Sequence, residues 1–271
     1  MARRHGLHAA LKLARTAGAA DDPSVHALAA VLLGVLFGVG ALLGIAIGVL
    51  IFFISLVRRA RAVHAEGLVC RAELVARDGV IGPQLAGPAL VRLSGAFENQ
   101  ATTGTDVLGL AIRMQRAPSS DGHVGDQDLL LATFESFLTA KKDREATNAK
   151  DYLANRYSTV TPWWTPGKGP AIWRLAPPQS AAPPERASSR VGRLDADLAA
   201  DRARMVLSVH EGASTVAVAE LRLVERLPAD AASLRASMFR QGRALRPLGL
   251  RNGIRATVYP LSQLARRLRG G

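Results

Sequence analysis

The sequence is poor in cysteine and in aromatic residues. Cys70 is its single cysteine, so no disulfide can form within the chain. There is no C-x-x-C pair and no cysteine–histidine cluster with the spacing of a metal site. Aromatic residues make up 5% of the 271 residues. The cysteine usage excludes a disulfide-based scaffold and is consistent with a reducing compartment.

Acidic residues are also scarce relative to basic ones. The formal net charge is +13, and the isoelectric point is about 11.1. Such a balance favours nucleic acid or an anionic membrane surface as partner. The basic residues are, however, mixed with acidic ones along most of the chain, and no motif interleaves them with aromatics. We therefore predict no nucleic-acid binding.

Charge is absent altogether from the stretch 27–57. A bilayer core needs about 20 apolar residues, so this stretch predicts one transmembrane helix with length to spare for tilt. It is too short for two spans and too long for the apolar region of a signal peptide. The predicted organisation is a basic N-terminal tail at 1–26, a transmembrane helix at 27–57 and one soluble domain at 58–271.

Positive charges next to this span predict its orientation. Arg58, Arg59 and Arg61 follow its C-terminal end directly. By the positive-inside rule, the domain at 58–271 is cytoplasmic and the protein is a single-pass protein of the inner or plasma membrane. The basic residues of the N-terminal tail argue partly against this orientation.

Glycines recur along the span at four-residue spacing, which lets helix backbones approach closely. They predict self-association into a homo-oligomer, although glycine is also simply common in membrane helices. These glycines are Gly34, Gly38, Gly40, Gly44 and Gly48.

Beyond the span, short apolar runs alternate with turns, which predicts a strand-rich domain. We predict helices at 141–157, 230–240 and 253–266, with a loop at 158–164. Many strands with helices outside them favour an α+β fold containing a closed antiparallel barrel. The predicted strands are 68–76, 89–94, 109–115, 128–134, 171–175, 204–211 and 214–224.

The last predicted helix carries an R-x-x-x-Y pattern. Arg255, Tyr259 and Arg266 are spaced so that they can share one helix face, although Pro260 fits only near a helix start or at a bend. A nearby arginine favours the ionised form of a phenol. One known use of a phenolate is as the proximal ligand of haem iron. The alternative is a basic surface helix with one half-buried tyrosine.

Five segments in the same order along the chain resemble the haem catalase superfamily, in its minimal, catalase-related peroxidase form with an added transmembrane helix. The segment 61–67 resembles R-x-x-H-A-x-G, and 91–94 resembles the family's R-F-S segment. Segments 106–113 and 128–130 resemble D-V-R-G-F-A-x-K and the D-L of the next strand. The closing 255–266 segment resembles the proximal-tyrosine helix.

The resemblance implies an eight-stranded barrel that binds haem b. By motif position, His64 is the distal acid–base residue, which accepts a proton from a peroxide oxygen and returns it to the leaving oxygen. Ser94 hydrogen-bonds the imidazole and orients it.

The same resemblance assigns the residues that hold the cofactor. Tyr259 is the iron ligand, and Arg255 keeps it ionised. Arg61, Arg92 and Arg266 pair with the haem propionates, because a guanidinium matches a carboxylate in shape and charge.

Two departures from the family pattern bear on the activity. Ala132–Thr133 stands where the family carries a peroxide-orienting asparagine, and Leu108 replaces an arginine. We therefore expect a membrane-anchored haem peroxidase or catalase-like protein that reduces hydrogen peroxide or organic, including lipid, hydroperoxides. The alternative is a non-catalytic haem- or lipid-binding barrel, or an interaction module, tethered to the membrane.

Overall fold

The computed structural model describes residues 23–58, 67–77, 79–96, 105–118, 123–136, 139–178, 189–211, 214–228 and 234–268. Five α-helices lie in these ranges: α1 Pro23–Arg58, α2 Gly82–Leu85, α3 Ala140–Ala146, α4 Arg190–Ala199 and α5 Leu250–Arg267. The strands are β1 Leu68–Ala76, β2 Gly87–Gly95, β3 Leu108–Met114, β4 Gln127–Ala132, β5 Tyr157–Ser158, β6 Trp163–Thr165, β7 Gly169–Ala176, β8 Arg204–Glu211, β9 Ser214–Arg226 and β10 Arg246–Pro247.

Eight of these strands close into an antiparallel barrel. The sheet runs β8-β9-β1-β2-β3-β4-β5-β7, and the pairing of β7 with β8 closes it. β6 and β10 extend from β7 outside this ring. Closure removes exposed strand edges. The predicted α+β fold with a closed eight-stranded antiparallel barrel is confirmed.

Alternation along the strands separates an inner face from an outer face. In β2, for example, Ala89, Val91 and Leu93 belong to the main apolar core. The alternate residues of β2, which include Arg92 and Ser94, point to the other side of the sheet. Both of these outer residues are nevertheless almost fully buried, so other elements cover this part of the barrel.

The apolar helix α1 packs lengthwise against the C-terminal helix α5. A Cβ at Gly40 would lie 1.9 Å from the Leu250 carbonyl oxygen, and a Cβ at Gly44 would lie 2.1 Å from Thr257 Oγ1. The Gly249 N–H, directly before α5, donates to the Leu33 carbonyl oxygen at 2.9 Å. The missing side chains therefore allow two helix backbones of the same chain to come into close contact.

Three of the five glycines in the predicted self-association pattern are used by this contact within one chain. Gly40, Gly44 and Gly48 face α5, whereas a Cβ at Gly34 or Gly38 would meet nothing within 4 Å. A homo-oligomer formed through this helix therefore has only Gly34 and Gly38 open for contact while α1 and α5 stay together.

Two predicted helices differ from the structure in the described residues. The first is present at its start but is shorter than predicted. The helix predicted at 141–157 ends at Ala146, because Asp151 Oδ1 accepts hydrogen bonds from the N–H groups of Leu153 and Ala154, a local alternative to helix. Residues 234–240 of the helix predicted at 230–240 are not helical. The segment 158–164, predicted as a loop, contains β5 in part and the start of β6.

Candidate functional site

A cavity of about 690 Å³ lies between the outer face of β2–β4 and α5. Ser94, Gly109 and Ala132 are register partners across the three strands, and all three line the cavity. Ala111 lines it from the next row, beside Arg92. These small side chains leave a shallow, flat barrel surface, which provides the space for a ligand between barrel and helix.

α5 supplies the opposite wall. Arg255, Val258, Tyr259 and Ser262 all line the cavity; they recur at the three- and four-residue spacing of one helix face. Pro260 lies inside α5 without ending it and is exposed on the side away from the cavity. The predicted helix at 253–266 is confirmed and extends over Leu250–Arg267.

Four predicted site residues therefore meet at one cavity: Arg92, Ser94, Arg255 and Tyr259. They come from two elements that are more than 150 positions apart in the sequence. Arg61 and His64 lie outside the described residues, and so does the side chain of Arg266, although α5 includes its backbone. The structure thus brings together the predicted residues whose side chains it describes.

The charge around the cavity has one sign. The lining includes Arg92, Lys141, Arg144 and Arg255, and no aspartate or glutamate among the described residues. Arg255 Nη1 is buried with no hydrogen-bond partner in the described part of the chain. Burial of the Arg251 guanidinium is the main cause that lowers the pKa of Arg251, and the positive charge of nearby Arg255 is the second cause. Buried cations are normally paired, so this cavity favours a ligand that carries negative charge.

The rest of the lining is largely apolar. It includes Leu130, Leu131 and Phe134 from the barrel side, Leu234 from the segment before α5, and Ile51 from α1. An apolar slot with cationic residues at its border suits an amphipathic anion such as a porphyrin dicarboxylate or a fatty acid. The residues present therefore fit haem with its propionates.

Two small residues of the predicted motifs, Ser94 and Gly67, make contacts that shape the site. Ser94 Oγ donates to the Gly109 carbonyl oxygen across the strand pair at 3.4 Å. A Cβ at Gly67 would lie 2.6 Å from the Arg92 guanidinium carbon. Gly67, the last position of the R-x-x-H-A-x-G block, thus leaves the space that the Arg92 side chain occupies.

A buried ion pair holds one wall of the cavity in place. Arg113 binds Asp128 through two hydrogen bonds, of 2.9 and 3.1 Å, and donates a third to the Arg235 carbonyl oxygen at 2.7 Å. Asp128 Oδ2 also accepts from the Ser237 N–H at 2.8 Å. Arg235 and Ser237 alternate with the lining residues Leu234 and Ala236. These bonds engage the backbone of 234–240, which explains why the predicted helix does not form there.

Thr133, one of the two residues at the position of the family asparagine, does not line the cavity. Its hydroxyl accepts a hydrogen bond from the Leu108 N–H at 3.0 Å and another from the Thr147 hydroxyl at 2.9 Å. Leu108, where the family carries arginine, points into the barrel core. Neither Thr133 nor Leu108 therefore presents a polar group to the cavity.

Sequence reasoning missed the cavity residues on α1 and α3. Lys141 and Arg144 lie in the predicted helix 141–157, and basic residues on a helix ordinarily face solvent. Ile51 lies in the predicted membrane span. Trp163 and Trp164, in the predicted loop 158–164, do not line the cavity, and Trp163 is fully buried in the core.

Comparison with solved structures relates this architecture to a known one. The crystal structure of a fungal catalase superposes with a TM-score of 0.53 and 12% sequence identity, over 74% of this chain and 58% of that chain. The fold is catalase-like. No protein-family model and no curated protein sequence matches the chain.

The likeness concerns the fold alone, since identity is low and the chain spans 58% of the length of that catalase. The catalase-like barrel nevertheless gives the five motif segments a common framework. Four of the five segments contribute described residues to the cavity: Arg92 and Ser94, then Gly109 and Ala111, then Leu130, and finally Arg255 and Tyr259. Asp128, from the same D-L segment as Leu130, contributes through Arg113 as well.

Proposed function

We propose that this protein binds haem in the cavity between β2–β4 and α5 and reduces peroxides there. The observation that carries the proposal is the meeting of Arg92, Ser94, Arg255 and Tyr259 at one cavity of about 690 Å³. Each was expected there from a motif, and the motifs lie far apart in the chain. The cavity volume is within the range of cofactor sites in proteins.

In this proposal Tyr259 holds the iron through its phenol oxygen. Arg255 lies one helical turn before it on the same face of α5 and would be the neighbouring cation that the family resemblance implies. Arg61, Arg92 and Arg266 would bind the propionates, as the family resemblance implies. The bound group supplies the redox chemistry with peroxide that amino-acid side chains lack.

His64 is proposed to move the proton between the two peroxide oxygens. It precedes Gly67 by three residues, which span at most about 11 Å, and Gly67 is in contact with Arg92 at the cavity. Ser94, on the same barrel face, is proposed to orient the imidazole. A peroxidase activity is favoured over fast disproportionation of hydrogen peroxide, because Ala132 and Thr133 offer no amide to orient the peroxide.

We also propose that α1 attaches the protein to a membrane. Among the described residues, one helical stretch, Ser24–Phe53, is long and apolar enough to cross a bilayer. If this helix spans the bilayer, the arginines after it place the domain on the cytoplasmic side of the inner or plasma membrane, as predicted. Lipid hydroperoxides are then proposed substrates, together with hydrogen peroxide.

A second candidate function is a non-catalytic haem- or lipid-binding barrel. The apolar lining with cations at its border suits a fatty-acid carboxylate as well as a haem propionate. The absence of a side-chain amide at Ala132 also favours binding over turnover.

Peroxide consumption by the haem-supplemented full chain tests the catalytic proposal. We expect His64→Ala to lower the rate about 100-fold or more, as for loss of a general acid–base group. His123→Ala is the control, because His123 is exposed and lies outside the cavity lining. Equal rates in the two variants would reject His64 as the acid–base residue, and haem binding without turnover would favour the second candidate.

A further inference from the structure

The side of α1 that faces away from the domain is a broad, exposed apolar surface. Its large side chains remain exposed along the whole helix, including Leu28, Val31, Val35, Leu42, Leu50 and Phe53. No charged residue interrupts the stretch 27–57. An apolar surface of this extent needs an apolar partner.

The opposite side of α1 is docked on the domain over almost the same length. At one end, His26 lies next to Gly169, the first residue of β7, and at the other end Gly48 lies against Leu261 of α5. Ile51, one turn further, lines the cavity. The 25 steps from residue 26 to residue 51 correspond to about 38 Å of helix.

This docking conflicts with a transmembrane orientation. The hydrocarbon core of a bilayer is about 30 Å thick, so a spanning α1 would bring its docked surface into the hydrocarbon as well. That surface includes Gly169 at the start of β7 and the arginine-bearing helix α5. Non-helical backbone and arginine side chains are strongly disfavoured next to lipid chains.

We propose that α1 stays docked on α5 and lies in the plane of a membrane, at the boundary between headgroups and acyl chains. The exposed apolar side enters the lipid, and both ends of the helix stay on the same side of the bilayer as the barrel. This geometry replaces the single pass that apolar length alone predicts. The net charge of +13 complements anionic lipid headgroups.

The in-plane orientation does not depend on haem, so it stands or falls separately from the proposed catalytic function. It does link the membrane to the site, because Ile51 belongs both to the docked helix and to the cavity lining. The membrane-bound helix is then one wall of the ligand cavity.

Cysteine labelling of the full chain in sealed membranes tests the orientation. Ser24→Cys places a thiol at the start of α1, and Val124→Cys places one on a fully exposed turn of the domain. The parent chain is the control, because Cys70 is fully buried and burial raises its pKa to about 12. A membrane-impermeant maleimide is applied to intact cells and to inverted membrane vesicles.

We expect both introduced cysteines to be labelled in the same preparation and protected in the other, while the parent chain stays unlabelled. Labelling of Ser24→Cys in one preparation and Val124→Cys in the other would show a spanning helix and overturn the proposal. Recovery of the full chain in the soluble fraction as a dimer would also overturn it, because a second copy would then cover the apolar side.

Discussion

Arg113 and Asp128 illustrate how individual residues can serve the cavity without lining it. Their side chains are almost completely buried and joined by two hydrogen bonds. Arg113 also binds the backbone of the segment that contributes Leu234 and Ala236 to the cavity. The pair therefore connects the barrel to one wall of the site.

We predict that Arg113→Met lowers the free energy of unfolding by about 3–5 kcal/mol, because it leaves the Asp128 carboxylate buried without its main partner. The control is Arg71→Met, which removes an ion pair with Glu225 in which both side chains are about half exposed. Such a pair contributes about 0–1 kcal/mol. Urea unfolding of the two variants measures the difference, and equal losses would contradict a special role for the buried pair.

Glu220 on β9 gives a prediction about pH. Its carboxylate binds Arg77 and Arg222, the latter at 2.8 Å. The hydrogen bond from Arg222, followed by that from Arg77, holds the pKa of Glu220 below its usual value. A lowered pKa in the folded state stabilises the protein above the ordinary glutamate pKa of about 4.3, and this contribution is lost as the pH falls through the lower, folded-state pKa.

Glu220→Gln is therefore expected to lower the free energy of unfolding by about 1 kcal/mol at pH 7, the modest value reflecting the solvent exposure of both arginines. The difference from the parent chain should shrink as the pH falls below about 4. Urea unfolding measured from pH 3 to pH 7 checks this, and a difference that is constant with pH would exclude the ion pairs as its cause.

Local periodicity explains which site residues could be predicted. Arg92 and Ser94 share a strand face because side chains alternate, and Arg255 and Tyr259 share a helix face because they are four residues apart. Lys141 and Arg144 could not be predicted in this way. Their place at the cavity depends on how the short helix α3 packs beside the strands, which no local pattern encodes.

At the scale of elements, the contact between α1 and α5 is the main feature that the sequence left undetermined. The glycines of α1 predict close helix packing, but they do not show whether the packing partner is a second chain or another helix of the same chain. The structure places Gly44 against Ile254 and Thr257 of α5. Because α5 carries Arg255 and Tyr259, this contact also sets the position of the cavity wall.

We predict that Gly44→Leu displaces α5, lowers the free energy of unfolding by about 1–3 kcal/mol through overpacking, and weakens haem binding. Gly38→Leu is the matched control, because a Cβ at Gly38 meets nothing within 4 Å. Thermal unfolding and haem titration of both variants test this. Unchanged haem affinity in Gly44→Leu would contradict the prediction that the position of α5 affects haem binding.

Strands were predicted more reliably than helices. The strand β1 was predicted at 68–76, and it spans Leu68–Ala76, since alternation and turn residues mark both ends. The helix predicted at 141–157 stops at Ala146, because Asn148 and Asp151 accept hydrogen bonds from nearby backbone N–H groups. A polar composition favours helix and turn alike.

At the scale of the whole molecule, barrel closure joins distant parts of the chain. β1 pairs with β9 more than 140 residues away, and β7 pairs with β8 across the proline-rich 177–184 segment. The number and alternation of strands indicated a barrel, but these pairings follow from closure rather than from any local signal. The same closure places β2–β4 opposite α5 and so forms the cavity.

The central claim is that Tyr259, at this cavity, holds haem iron, and an absorption spectrum tests it most directly. We predict that the full chain supplemented with haem shows a ferric high-spin Soret band, which Tyr259→Phe loses. Tyr152→Phe should keep the band, because Tyr152 is buried outside the cavity lining and its hydroxyl has no hydrogen-bond partner in the described residues. The same spectrum in the parent chain and in Tyr259→Phe would contradict the claim.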